Sequence, residues 1–154
     1  FMIRQAKLED FEAINSIFRE VHKLHVENRP DFFRDIDPLP KEEFVNILKS
    51  DNQIILINED EEINGFIKME FKEKGETLTK KRRTLSIEQL GVKKSNHKSG
   101  IGRKLIEEAI KIFKEGKFDK LILDVWTFNQ NAIDFYKHLG FKEFNIKMEL
   151  EKEK

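Results

Sequence analysis

Apolar positions along this chain change period several times, and each change marks an element. Residues 2–6 read as a short strand. From Asp10 onward, Phe11, Ile14, Ile17, Phe18, Val21 and Leu24 recur at the spacing of one helix face. All three prolines (Pro30, Pro38, Pro40) fall in HVENRPDFFRDIDPLP, and a residue without a backbone donor suits neither a helix interior nor a central strand, so a long ordered loop is predicted. Pro40 can open a second helix through Phe44, Ile47 and Leu48, and residues 53–58 form the apolar run of a buried strand. Asn64-Gly65 predicts a turn. Phe66, Ile67, Met69 and Phe71 continue as a strand, a charged turn spans 72–81, and a further strand covers 84–92.

The second half alternates differently. Ile101, Leu105, Ile106, Ala109, Ile110 and Phe113 mark one helix face that Gly116 ends, and residues 121–126 are the next strand. Ala132, Ile133, Phe135, Tyr136 and Leu139 make a short helix stopped by Gly140, and residues 141–150 read as a final strand. The predicted order is β α α β β β α β α β, with three or more antiparallel strands, no repeat, and a solvated Glu-Lys-Glu-Lys tail.

Composition narrows the function classes. A chain of 154 residues suits one domain, taken as residues 2–151, and Phe1 ahead of Met2 is given no function. Lysine plus arginine number 29 and so do the acids, for a pI of about 7.1, so no overall field steers the protein to nucleic acid or an anionic membrane. Any polyanion must be met locally. Cysteine is absent, which excludes thiolate metal sites and disulfides and fits a reducing compartment. Without a long apolar run or a signal peptide, the chain is expected to be soluble and cytoplasmic.

The local meeting point is LGVKKSNHKSGIGRKLIEEAI, where a strand ends at Val92 and a helix opens around Gly100. A helix N-terminus leaves N–H groups unpaired and carries about half a positive charge, and glycines let phosphate oxygens approach. Lys98, Arg103 and Lys104 add cations at the same mouth. A bare Gly-x-Gly serves a tight turn equally well. The segment is neither a Walker loop, lacking Gly-Lys-Ser/Thr, nor a dinucleotide fingerprint, lacking the third glycine.

His97-Lys98-Ser99-Gly100-Ile101-Gly102 resembles the Q/R-x-x-G-x-G/A acyl-CoA pyrophosphate loop of the GNAT superfamily, with histidine where that family usually carries arginine or glutamine. Downstream, the run from Asn129 to Phe141 is similar to the family's N-x-x-A-x-x-F-Y-x-x-x-G-F helix. The resemblance implies a single-domain α/β (α+β) fold, with a twisted, mixed, mostly antiparallel sheet flanked by helices. It also implies an N-acetyltransferase that moves the acetyl group of acetyl-CoA to a primary amine by direct attack in a ternary complex. The alternative is a noncatalytic acyl-CoA-binding module of the same fold.

By the same resemblance, Leu90, Gly91 and Val92 would hold the pantetheine arm as an added strand, and His97, Lys98, Ser99, Gly100, Ile101, Gly102 and Arg103 the pyrophosphate. Asn129, Asn131, Ala132 and Tyr136 would contact CoA. Tyr136, the one tyrosine beside 14 phenylalanines, falls at the family's proton-donor position. A base helps to free the amine: Glu88 lies on the polar face of its strand, and Asp124 interrupts an apolar run. A surface or ion-paired carboxylate is the plainer reading of both. His25, Arg29, Phe32, Phe33 and Trp126 are candidates for the acceptor cleft. His22 and His25 lack a third ligand at metal spacing, so no metal is expected. The expected partner is an amine acceptor, with a homodimer formed through edge strands left open.

Overall fold

The computed structural model describes residues 2–152; Phe1 and the last two residues of the expected solvated tail lie outside the described residues. In chain order the elements are β1 (Met2–Gln5), α1 (Phe11–Asn28), α2 (Lys41–Lys49), β2 (Gln53–Glu59), β3 (Ile63–Lys74), β4 (Arg82–Val92), α3 (Ile101–Glu115), β5 (Lys120–Leu123) and α4 (Gln130–His138). They fall into two compact units, one ending at Asp124 and the other beginning at Val125.

The first unit is one sheet in the order β1-β2-β3-β4-β5, antiparallel throughout except for the parallel β4–β5 pair that α3 connects. Its α/β architecture matches the expectation. Successive strand residues face opposite sides, and the two sides are covered by different helices. Ile55, Ile57 and Phe66 pack with Phe11, Ile14 and Ile17 of α1 and with Phe44 and Ile47 of α2. On the other side, Gly65 takes α3: a Cβ there would come within 2.8 Å of Ile101 and 3.1 Å of Leu105.

Polar groups pin the layers. Asp10, buried at the entry to α1, accepts from Arg4 Nη1 at 2.8 Å, Arg4 Nη2 at 3.1 Å and the Lys7 N–H at 2.7 Å. The Arg4 hydrogen bonds hold its carboxyl below the usual range, against the opposing effect of burial. Asn15, also buried, donates to Asp37 at 3.3 Å and so ties the proline-bearing loop to α1.

Four expectations from the sequence change. Asn64-Gly65 is no turn: the chain reverses at 60–62, where the Asp60 N–H meets the Glu62 carbonyl at 3.0 Å. Asn64 is instead buried at an irregularity of the β2–β3 ladder, where its Oδ1 accepts from Asn58 Nδ2 at 2.7 Å. The charged turn is shorter than 72–81, because β3 runs to Lys74 and β4 starts at Arg82. The strand expected at 121–126 ends at Leu123, since its pairing with β4 stops at Ile87.

The fourth change is the final strand expected at 141–150, which the second unit taken by itself does not form. Its alternation is real, but a strand needs a neighbour to take its N–H and carbonyl groups, and that unit holds no other strand among the described residues. The unit is built around α4, capped by Asn129 and closed by Gly140 at φ 99°. The Phe141 N–H donates to the Tyr136 carbonyl and the Gly140 N–H to the Lys137 carbonyl, both at 3.0 Å, the paired hydrogen bonds of a Schellman stop.

Candidate cofactor loop and active site

The β4 strand has a free margin. Its pairing with β5 covers only Thr84 to Ile87, so from Glu88 to Val92 the β5 side of its backbone has no ladder partner among the described residues. At the start of that stretch Glu88 is the extra residue of a bulge, lying between Ile87 opposite Met69 and Gln89 opposite Lys68. Leu90 and Val92 lie on the open margin. Gly91 has a packing reason of its own, because a Cβ there would sit 2.6 Å from the Phe66 ring.

Beyond Val92 the chain makes a short 3-10 turn at Lys94–Asn96 and enters α3 through two left-handed residues, Lys98 at φ 69° and Gly100 at φ 86°. Alternating handedness of this kind builds concave runs of N–H groups. Gly100 is exposed, and a Cβ on it would meet nothing within 4 Å. Helix α3 carries no side-chain cap, so the N–H groups of Ile101, Gly102 and Arg103 are left for solvent or a ligand. Ser99 is held by its hydroxyl donating to the Asn96 carbonyl. His97 turns back to the strand: its Nε2 lies 3.0 Å from the Val92 carbonyl, which accepts. Its ring therefore stabilises the loop. Arg103 pairs with Glu107 at 2.9 Å, which reduces the charge it brings to the mouth.

Glu88 is not a free carboxylate. Oε1 lies 3.2 Å from Lys72 Nζ, which also sits 3.9 Å from Glu70. Burial alone would raise the Glu88 carboxyl, but Lys72, with help from Lys68, outweighs it and holds the group below the usual range. Sequence reasoning misses Lys72. The signal available was the alternation Lys68, Glu70, Lys72, which puts three charges on one face of β3. Asp124 is exposed just past the end of β5.

In the second unit, Asn129 Oδ1 accepts from the Ala132 N–H at 3.2 Å, while Asn131 is exposed. Tyr136 packs edge-on to Phe135 and Phe141, with ring centres 5.3 and 5.7 Å away. Burial pushes its hydroxyl up to about 12, so it keeps its proton across the neutral range. Trp126 stacks on Phe128 at 6.0 Å.

The acceptor candidates of the first unit do cluster. Phe33 takes His22 at 6.0 Å and His25 at 5.1 Å on edge contacts and Phe32 at 5.1 Å, and Arg29 lies over Phe32 while pairing with Asp31 at 2.9 Å. The Val21 carbonyl, 2.9 Å from His25 Nδ1, accepts from it and fixes the orientation of that ring. Among the described residues no group of three or more potential ligands could hold a metal ion, and no helix is long and apolar enough to cross a membrane.

Three comparisons bear on this site. The profile of the acetyltransferase (GNAT) family matches residues 16–141. An N-alpha-acetyltransferase of Sulfurisphaera tokodaii is 30% identical over 154 residues, covering 95% of this chain and 83% of that protein. Among solved structures, a mutant of the BH1408 protein from Bacillus halodurans superposes with a TM-score of 0.96 at 29% identity, over 99% of each chain. An aminoglycoside acetyltransferase from a soil metagenome, crystallised with sisomicin, shares the fold with a TM-score of 0.77 at 17% identity, over 99% of this chain and 96% of its own.

Proposed function

The chain belongs to the GNAT acetyltransferase family, and on that premise we propose that it moves the acetyl group of acetyl-CoA to a free α-amine, by direct attack in a ternary complex. The supporting observation is the uncapped, glycine-opened start of α3, reached directly from the unpaired margin of β4. These residues fit the donor: the margin from Glu88 to Val92 can pair with an amide-bearing arm by strand addition, and the N–H groups of Ile101 to Arg103 suit a pyrophosphate. Acetyl-CoA supplies the activated thioester. Tyr136, protonated well above neutral pH, is assigned to protonate the departing thiolate.

The acceptor class follows from the base. Glu88, held down by Lys72, is a weak proton acceptor, and Asp124 is the other carboxylate that can relay a proton through water. An α-amine with a pKa of about 7.8 is roughly one-seventh neutral at pH 7, whereas a lysine amine near 10.4 is neutral in only about one molecule in 2,500. A site with a depressed carboxylate suits the first. The Sulfurisphaera relative is named for the same class. We place the α-amine beside His25, Arg29, Phe32 and Phe33.

The test follows thiol release from acetyl-CoA with peptides bearing a free N-terminus, with peptides blocked there but containing lysine, with polyamines and with aminoglycosides. Release with free N-termini alone supports the proposal. Release only with lysine or sugar amines overturns the acceptor class. CoA binding without release from any acceptor leaves the noncatalytic module.

A further inference from the structure

We propose that Lys72 is a positioning residue for the acetyl transfer, a cation shared between Glu88 and Glu70 that keeps the Glu88 carboxylate ionised and aimed at the incoming amine. The proposal deepens the acetyltransferase reading and rests on it. The starting point is the side of the sheet on which these charges lie. Phe66 packs with α1 and α2, and Lys68, Glu70 and Lys72 follow it at period two on the same face of β3. Across the ladder, Ser86 stands opposite Glu70 and Thr84 opposite Lys72, both buried, so the apolar floor under the helices gives way to a polar strip. Helix α1, which carries His25 beside Phe33, covers that same side.

Glu88 follows Thr84 and Ser86 at period two onto this strip, and beside the β4 bulge its Oε1 comes to 3.2 Å from Lys72 Nζ. Lys72 Nζ is the partner of that oxygen, and the same ammonium has a second carboxylate, Glu70, within 3.9 Å. The lysine therefore has somewhere else to turn when another donor reaches Glu88.

The proton and electron count closes on these groups. An α-ammonium replaces Lys72 at Oε1 and gives its proton to Glu88, directly or through one water. The neutral nitrogen then forms the bond to the thioester carbonyl carbon as the C–S bond breaks, and the thiolate takes its proton from Tyr136. The extra proton on the new amide nitrogen passes through water to the Tyr136 phenolate, and Glu88 returns its own proton to solvent. The charges facing Glu88 are Lys68, Glu70 and Lys72, all from β3. Removing Lys72 leaves burial, which raises the carboxyl, as the dominant influence.

The test compares Lys72→Met, Lys72→Arg and the wild type by the pH profile of kcat/KM with a free-N-terminus peptide, and by carbon-13 titration of the Glu88 carboxyl. Lys72→Met should move the acid limb and the carboxyl titration to higher pH together, while Lys72→Arg keeps both near wild type. Thermal melts show that the variants are folded, and the arginine variant carries the comparison if the methionine one is not. An acid limb that stays in place in Lys72→Met, or that moves as far in Lys72→Arg, overturns the proposal. So does a fall in kcat that is equal at every pH and that arginine fails to rescue. Should the wild type release thiol with no acceptor, the acetyltransferase reading fails and the positioning role with it, while the carboxyl titration still reports the ion pair.

Discussion

Gly100→Asp separates cofactor binding from stability because the two effects run in opposite directions. The residue sits at φ 86° with open space around the missing side chain, so no collision opposes substitution. Left-handed backbone costs about 1–2 kcal/mol for an ordinary residue, and less for aspartate, while a carboxylate at a helix N-terminus returns about 0.3–1 kcal/mol. The net change in folding should stay within about 1 kcal/mol. For the pyrophosphate the sign reverses: a carboxylate about 5 Å from a phosphate charge, at an effective dielectric constant of about 20, costs about 3 kcal/mol. That is roughly a hundredfold in Kd. Titration calorimetry with CoA, beside thermal melts of the apo-proteins, measures both. Gly100→Ala is the control, adding strain without charge, and should lower Tm while moving Kd far less. A folded Gly100→Asp protein whose Kd stays within about threefold of wild type would refute the anion-site argument.

Tyr136→Phe should keep CoA affinity and lower kcat by about a hundredfold to ten-thousandfold; single-turnover kinetics check it, and near-normal chemistry would remove the tyrosine as the acid. Gly91→Ala drives a Cβ into the Phe66 ring and should cost about 1–3 kcal/mol, read by denaturant unfolding. Asp10→Asn should lose about 2 kcal/mol at neutral pH. Because the folded carboxyl lies below its unfolded value, the wild type has this stability above the ordinary carboxylate range and loses it as pH falls through the folded value; the variant's stability should be flatter there.

Helices α1 and α3 and strands β2 to β4 were legible in the sequence because each buries one face against a neighbour, and burial writes period 3.6 or 2 into the residues. The glycine-opened loop was legible for a different reason, since close approach to a backbone leaves glycine as its mark at Gly100. Asn64-Gly65 misled because the same dipeptide serves a turn and a strand irregularity, and only the buried partner Asn58 distinguishes them. Glu88 was visible as a carboxylate on a strand, but not its place in a bulge or its tie to Lys72, which depend on which strand lies alongside and in what register. The stretch 141–150 shows the division most plainly. Local order in the chain determined its alternation of apolar and polar side chains, and with it the capacity to be a strand. Whether it becomes one was left to tertiary structure, because a strand's backbone hydrogen bonds belong to its neighbour and no local pattern can supply that neighbour.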